Sequence, residues 1–228
     1  MESEGTVAEL ILLDGQPAAR IVCSPRLIPR PGQYVLVVAE RSKAPLAAVI
    51  FAAQAFPDGF IAAPPVPADW TPGTLVHMRG PLGHGFRVPS AARRIALIAF
   101  DDSARRLLYL LAAVPRPDAS VTLVCANPPH DLPLDVEVQP LAALVDAWKW
   151  SDYAALDLSR ESTPALLDML RNVDARTLVA NAEALVRTPM PCGGLAQCGA
   201  CAVRAPRGAQ LACEDGPVFD FRLLLAER

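Results

Sequence analysis

Residues 191 to 219 read PCGGLAQCGACAVRAPRGAQLACEDGPVF and hold four of the six cysteines of the chain: Cys192, Cys198, Cys201 and Cys213. Four thiolates at this spacing can bind either a tetrahedral zinc ion or a two-iron cluster, and the Cys-x-x-Cys core does not decide between them. Glycines between the cysteines let the backbone wrap closely around a bulky [2Fe-2S] cluster and direct N–H groups at its sulfurs. Zinc sites usually pair two Cys-x-x-Cys knuckles, and only one is present here. The segment therefore favours an iron-sulfur cluster over zinc or free thiols.

Composition limits what the rest of the chain can do. The 228 residues are 52% hydrophobic, enough to bury a core without covalent crosslinks. The formal net charge is -3, and Lys and Arg are scattered, which argues against a nucleic-acid or membrane partner. The N-terminus MESEGTVAEL lacks a signal peptide's basic region, and no apolar run reaches the roughly 18 residues of a membrane span. We expect a cytoplasmic protein. In the cytoplasm, clustered cysteines are typically metal or redox ligands. The two cysteines outside the cluster, Cys23 and Cys125, are interpreted as small buried hydrophobic residues.

The first part of the chain predicts a small antiparallel barrel. Two apolar runs, 7–13 and 16–23, flank Asp14 and Gly15, a strong hairpin signal. Further short runs rich in β-forming residues, separated by Gly and Pro, cover 33–40, 45–56, 59–64 and 74–80. We assign residues 1–90 to a β-barrel.

After Ser90 the pattern changes to strands that alternate with helices. Apolar strands are predicted at 93–100, 120–126, 152–158 and 176–182, with helices at 102–114 and 163–173. Nearly continuous apolar strands alternating with helices indicate a parallel sheet covered on both faces. We assign residues 91–187 to an α/β domain and 188–228 to a small C-terminal lobe that carries the cysteines.

Three stretches resemble the electron-transfer subunit of heteromeric, NAD-linked dihydroorotate dehydrogenases, in the ferredoxin reductase superfamily. The cysteine segment is similar to the family's cluster motif, Cys-Gly-x-Gly-x-Cys-x-x-Cys with a later Cys-x-Asp-Gly-Pro-Val-Phe. RPGQYVLV (30–37) and MRGPLGHGF (78–86) resemble two elements of its FAD-binding barrel. The resemblance implies an FAD-binding barrel, an NAD-binding domain, and a [2Fe-2S] lobe with Cys192, Cys198, Cys201 and Cys213 as ligands. It also implies flavin contacts from Gly80, Pro81, Leu82 and Gly83, a role in pyrimidine biosynthesis and a partner subunit that contains FMN.

The cysteine segment departs from that family in one spacing. Five residues separate Cys192 from Cys198, where the family typically has four. We expect a one-residue bulge among Gly193, Gly194 and Ala196 to absorb the difference.

The flavin motif departs further. The family has Arg-Pro-x-Ser at the strand that contains KAPLAAVIF, but Ala44 and Ala47 replace the arginine and the serine. An alanine can neither neutralise a pyrophosphate nor donate a hydrogen bond. Arg41 and Lys43 lie nearby and are interpreted as solvated loop charges. The phosphate loop is replaced by a proline-rich stretch, 63–78, and proline has no N–H to offer a phosphate.

The nicotinamide motifs are also absent from the sequence. Dinucleotide binding needs glycines after the first strand, so that the backbone can approach the pyrophosphate at a helix N-terminus. Here IAFDDSARRLL (98–108) has no glycine, and we expect Asp101 and Asp102 to cap the helix and repel phosphate. The family's later Cys-Gly-Pro turn is replaced by VANAEAL (179–185). His77, His84 and His130 are interpreted as ordinary surface or turn histidines, and the tryptophans of WKW (148–150) as core residues.

The sequence supports three functional hypotheses. We favour an electron-transfer subunit, not itself catalytic, that keeps the [2Fe-2S] cluster and has lost NAD(H) and FAD. It would act with an FMN-containing dihydroorotate dehydrogenase-like subunit or with another oxidoreductase. The alternatives are a complete reductase that binds FAD in a divergent way, and an assembly subunit in which the cluster serves as a folding clip.

Overall fold

A computed structural model describes residues 2–101, 103–173, 181–205 and 208–227. The N-terminal part forms a closed antiparallel barrel of six strands in the order β1-β2-β5-β4-β3-β6. Its strands are β1 (Glu2–Leu13), β2 (Gln16–Cys23), β3 (Tyr34–Ala39), β4 (Ala48–Phe56), β5 (Gly59–Ala62) and β6 (Leu75–Leu82). The predicted hairpin is confirmed: Asp14 and Gly15, both at positive φ, connect β1 to β2, as a tight type I′ turn requires.

Residues of β3 alternate between two hydrophobic cores. Val35 and Val37 point into the barrel, whereas Tyr34 and Leu36 point outward into a second core shared with the rest of the chain. This alternation is the ordinary period of a strand. The first part of the outer face of β3, Tyr34 and Leu36, is thereby buried next to the cysteine segment, while Val38 farther along the strand is exposed.

The second part of the chain is a sheet whose six described strands run in the order β14-β11-β10-β7-β8-β9. The parallel strands are β7 (Arg94–Ala99), β8 (Ser120–Cys125), β9 (Val136–Gln139), β10 (Tyr153–Ser159) and β11 (Ala182–Arg187). The described α-helices are α1 (Arg105–Leu108), α2 (Leu144–Trp150) and α3 (Thr163–Met169). Barrel and sheet together confirm the predicted fold class.

Several predicted elements differ from those observed. The helix expected over 102–114 is α-helical only in α1 and continues as a 3-10 helix over Tyr109–Ala113. The expected capping by Asp101 is wrong, because α1 starts after Ala104 without any side-chain cap and the Asp101 carboxylate is bound elsewhere. Asp102 and the predicted strand residues 176–180 lie outside the described residues. Strand β9 and helix α2 were not predicted, since both are short.

The cysteine segment packs against both preceding parts. After a hairpin of β12 (Ala202–Ala205) and β13 (Gly208–Leu211), strand β14 (Val218–Asp220) pairs antiparallel with β11 and extends the sheet. A terminal 3-10 helix, Phe221–Glu227, follows, and the ring of Phe221 meets Trp148 edge-on with centroids 4.7 Å apart. Trp148 is thus a core residue, as expected.

Candidate functional site: the cysteine loop and the sheet edge

The loop that carries the first three cysteines has an unusual backbone conformation. Gly193, Gly194 and Ala196 all have positive φ, at 65°, 71° and 56°. These are the three positions at which the sequence predicted a bulge. Left-handed residues within a loop can turn neighbouring N–H groups to one side and create a concavity that suits an anion.

Backbone N–H groups of the loop are directed at cysteine sulfur. Gln197, Leu195 and Cys198 donate to the sulfur of Cys192, which lowers the pKa of that thiol. The N–H of Ala196 donates to the sulfur of Cys213, but burial dominates there and raises the pKa of Cys213. The loop is therefore arranged to receive negatively charged sulfur.

The four cysteines lie in two pairs. The sulfurs of Cys201 and Cys213 are 3.3 Å apart and buried, while Cys198 is exposed and its side chain hydrogen-bonds Cys192. Among the described residues, no group of three or more Cys, His, Asp or Glu side chains is arranged to hold a single metal ion. Two adjacent pairs of thiols are the donor set that a two-iron cluster needs, with two ligands for each iron.

The barrel supplies the wall behind the loop. Arg79 of β6 donates to the carbonyl oxygen of Gly193, and the ring of Tyr34 on β3 is completely buried beside Gly194. Neither residue was singled out from the sequence. Tyr34 lies in the PGQY stretch, where an aromatic side chain was visible but its contact with a loop about 160 positions later was not.

Gly80, Pro81 and Leu82 end strand β6, and Gly83, in the turn that follows, packs against the cysteine segment. Gly83 has positive φ, and a Cβ there would collide with the ring of Pro217. The N–H of His84 donates to the Gly216 carbonyl oxygen at 2.6 Å, and its Nδ1 lies 3.0 Å from the Asp215 carbonyl oxygen. These contacts account for the glycine-rich turn as the docking point between the barrel and the segment.

An open groove of about 550 Å³ runs along the barrel beside the cysteine loop. Its apolar wall is formed by Leu36, Val38 and Ala47, and Arg79 and Gly193 close one end. Ala47 stands where the resemblance places the flavin-binding serine. His77 lies at the rim with a mostly exposed ring.

The flavin-phosphate region shows other interactions. Arg41 and Lys43 are exposed, and the Ser42 hydroxyl between them donates to Asp69 at 2.7 Å. Within the proline-rich stretch, Trp70 is buried in the barrel core. Trp70 therefore anchors this stretch on the barrel, while most of its other residues are exposed or half-buried.

The carboxyl edge of the parallel sheet is occupied by buried ion pairs. The strand order reverses between β7 and β10, because β8 and β9 follow on one side of β7 and β10 and β11 lie on the other, and dinucleotides bind at such a switch point in open α/β sheets. There Asp157, 1% exposed, accepts from Arg106 Nε at 2.6 Å and from Arg187 Nε at 2.8 Å. Arg106 also donates to the carbonyl oxygen of Pro64 in the barrel at 2.8 Å.

Asp101 completes this network from the end of β7. Its carboxylate accepts from Arg187, from the Ser162 hydroxyl and from the backbone N–H of Ser159. Burial alone would raise the pKa of Asp101, but these hydrogen bonds and the charge of Arg187 outweigh it and hold the pKa below the usual range. The sequence carried no local sign of the network, because its members lie up to 86 positions apart.

Residues 188–225 match the iron-sulfur cluster binding domain of dihydroorotate dehydrogenase B. Solved structures share the fold of the whole chain. The NADH-dependent reduced ferredoxin-NADP oxidoreductase, studied for flavin-based electron bifurcation, superposes with a TM-score of 0.72 over 98% of this chain and 93% of its own, at 17% identity.

Two further structures share most of the fold at low identity. The ferredoxin reductase in carbazole 1,9a-dioxygenase covers 80% of this chain and 68% of its own with a TM-score of 0.60 and 16% identity. Phthalate dioxygenase reductase matches 83% of this chain and 70% of its own, with a TM-score of 0.55 and 9% identity. At these identities the likeness shows the fold alone.

The chain has a ferredoxin reductase-like fold, and its residues 188–225 match an iron-sulfur cluster binding domain. The predicted resemblance to the electron-transfer subunit of the dihydroorotate dehydrogenase B type is confirmed by the match over its C-terminal segment. No helix in the described ranges is long and apolar enough to cross a bilayer.

Proposed function

We propose that this chain is an electron-transfer subunit that holds one [2Fe-2S] cluster and relays electrons between proteins without using NAD(H). The observation that carries the proposal is the coexistence of a four-cysteine donor set with a filled dinucleotide switch point. In this arrangement residues 1–90 and 91–187 act as a scaffold that presents residues 188–228.

The ligands in this proposal are Cys192, Cys198, Cys201 and Cys213. Thiolate donors in two pairs suit a [2Fe-2S] cluster, and the N–H groups aimed at Cys192 and Cys213 offset part of the negative charge on sulfur. Such a cluster supplies one-electron chemistry and needs no catalytic side chain. The chain itself contributes ligands, orientation and control of solvent access.

The ion-pair network at the sheet edge opposes the binding of NAD(H). Its two arginines and two aspartates balance in charge, so neither arginine offers unpaired positive charge to a pyrophosphate. To admit a dinucleotide, the sheet edge would have to separate buried ion pairs, which costs about 3–5 kcal/mol when a partner is lost. The expected loss of the nicotinamide site thus has a physical basis.

The partner in this proposal is a catalytic oxidoreductase subunit in a heteromeric complex. An FMN-containing dihydroorotate dehydrogenase-like subunit is the first choice, by analogy with the domain matched over 188–225. Cys198 and Leu195 are exposed on the loop, so a partner can approach the proposed cluster from that side. Because the nucleotide site is replaced, the electron donor would differ from NADH, and the partner could therefore be a different oxidoreductase.

A flavin-dependent reductase is the second candidate, and one observation favours it. The groove beside the cysteine loop has an apolar wall along β3 and lies next to the turn at Gly80–Gly83. An isoalloxazine ring there would lie against the loop, although the arginine that would bind its pyrophosphate is replaced by Ala44.

Cofactor analysis of anaerobically purified protein tests these proposals. We expect two irons and two sulfides per chain, a rhombic EPR signal after dithionite reduction, no extractable flavin and no bleaching by NADH. Iron below stoichiometry without an EPR signal would refute the cluster. Stoichiometric flavin after co-expression with the partner subunit would favour the second candidate, and reduction by NADH would refute the loss of the nicotinamide site.

A further inference from the structure

Tyr34 places a phenol at the inner side of the cysteine loop. The residue lies on the outer face of β3, is 0% exposed, and packs its ring against Phe51 at a centroid distance of 6.0 Å. A Cβ built on Gly194 would lie 3.1 Å from the Tyr34 hydroxyl oxygen, so the hydroxyl directly faces the loop backbone.

The Tyr34 hydroxyl has no hydrogen-bond partner among the described residues. A buried polar group without a partner costs about 1–3 kcal/mol and is uncommon in native proteins. The two other tyrosines in the chain have partners: Tyr109 donates to the Pro29 carbonyl oxygen at 3.0 Å and Tyr153 to Glu183 at 2.6 Å. Three other buried side-chain polar atoms also lack a partner among the described residues, on Trp148, Thr163 and Thr188, but the Tyr34 hydroxyl is the one set against the backbone of Gly194. This position points to an acceptor that is not part of the polypeptide.

The phenol remains a donor at physiological pH. Burial, followed by the nearby thiols of Cys213, Cys201 and Cys192, raises the pKa of Tyr34 to about 12, against the opposing charge of Arg79. The hydroxyl also lies close to a proposed ligand, because a Cβ built on Gly194 would lie 3.8 Å from the Cβ of Cys213 as well.

We propose that Tyr34 donates a hydrogen bond to sulfur of the [2Fe-2S] cluster and thereby raises the reduction potential of the cluster. The inference rests on the proposed function and adds a positioning and tuning residue from the barrel to the four cysteines. The acceptor is a ligand or bridging sulfur on the inner side of the loop, the side that Gly194 leaves open for want of a side chain.

The direction of the effect follows from charge. Reduction adds one electron, which makes the sulfurs more negative, and a hydrogen bond to a more negative acceptor is stronger. The Tyr34 hydroxyl therefore stabilises the reduced state more than the oxidised state, and hydrogen bonds to sulfur are among the factors that set such potentials. Without it, the cluster becomes harder to reduce.

The test is an EPR-monitored redox titration of holoprotein with Tyr34→Phe, which removes only the hydroxyl. We expect the equilibrium constant for reduction to fall about tenfold, which is a potential lower by about 59 mV for one electron. Tyr109→Phe is the matched control, because it removes a hydroxyl that already donates to the Pro29 carbonyl oxygen, and its potential should equal that of the wild type.

A second variant changes the potential in the opposite direction. With 3-fluorotyrosine at position 34 the phenol is more acidic and a stronger donor, so the cluster should become easier to reduce. This substitution keeps the hydroxyl and also serves if Tyr34→Phe fails to retain the cluster.

The outcomes separate the two proposals. If wild-type protein contains no cluster, the proposed function fails. If the cluster is present and both Tyr34 variants stay within twofold of the wild type, about 18 mV, the role of Tyr34 is refuted while the proposed function stands. An equal change in Tyr109→Phe would also overturn it, because the effect would then not be specific to the loop.

Discussion

Arg106 and Asp157 form a buried ion pair, with 2.6 Å between Nε and the carboxylate, at the point where the strand order of the parallel sheet reverses. Arg106 extends from α1 and also binds the barrel at Pro64, so the pair ties the two halves of the molecule together. A site that usually admits a cofactor is here part of the structural core.

Loss of the Asp157 charge should therefore destabilise the folded protein. We expect Asp157→Asn to lower the free energy of unfolding by about 3–5 kcal/mol, because it leaves the charges of Arg106 and Arg187 without their shared partner. Denaturant unfolding under anaerobic conditions measures this. Asp168→Asn breaks an exposed pair with Arg171 and should cost less than about 1 kcal/mol. Equal effects of the two variants would show that the network is not structural.

Asp101 makes part of this stability depend on pH. Its pKa in the folded protein is below the unfolded value of about 3.9, so its contribution is fully present above that value and is lost as pH falls through the folded pKa. We expect Asp101→Asn to lower the free energy of unfolding by about 1–2 kcal/mol at pH 7. The difference from wild type should stay constant down to about pH 5 and shrink below about pH 4, as urea unfolding at each pH can show. A difference that persisted unchanged at pH 3 would contradict the assignment.

Removal of one proposed ligand should abolish the cluster without affecting the other thiols. We expect Cys198→Ser to lose iron, sulfide and the EPR signal, because the pair of Cys192 and Cys198 is then incomplete. Cys125→Ala, at a buried cysteine in β8, is the control and should keep the full iron content. If Cys198→Ser abolished electron transfer while the partner complex still assembled, the reading of the cluster as a folding clip would fail.

Gly83 is predicted to be essential for docking the cysteine segment on the barrel. Gly83→Ala should lower the free energy of unfolding by about 2–5 kcal/mol, from left-handed strain of about 1–2 kcal/mol and from overpacking against Pro217 and Tyr34. Gly73 is also left-handed, but a Cβ there meets nothing within 4 Å, so Gly73→Ala should show the strain alone. Thermal unfolding of both variants gives the comparison, and equal melting temperatures would argue against tight docking at Gly83.

Local patterns predicted most of the fold. The Asp14–Gly15 turn and the short apolar runs indicated the barrel, and the change of rhythm after Ser90 indicated the parallel sheet. The start of helix α1 could not be predicted in the same way, because Asp101 resembles a helix cap in the sequence. It becomes a hydrogen-bond acceptor across the sheet only when the fold brings Ser162 and Arg187 beside it. Strand β14 has three residues, too few for a periodic signal, and forms because β11 offers it an edge.

The candidate site, like the fold, was predictable only where its residues are close together in the sequence. The spacing of the cysteines was visible in one stretch of 29 residues, and so were the glycines at 193, 194 and 199 that take positive φ between them. Tyr34 and Arg79 could not be recognised, because their importance comes from contacts with residues more than 100 positions away. Long-range contacts of this kind leave no periodicity and no motif.

Strand β14 also determines how electrons would have to travel. Because its hydrogen bonds with β11 build the end of the cysteine segment into the sheet, the proposed redox centre cannot swing toward a distant donor as a tethered carrier domain would. The route is then fixed in length within this chain, and any donor or acceptor must bring its own cofactor to the exposed side of the loop.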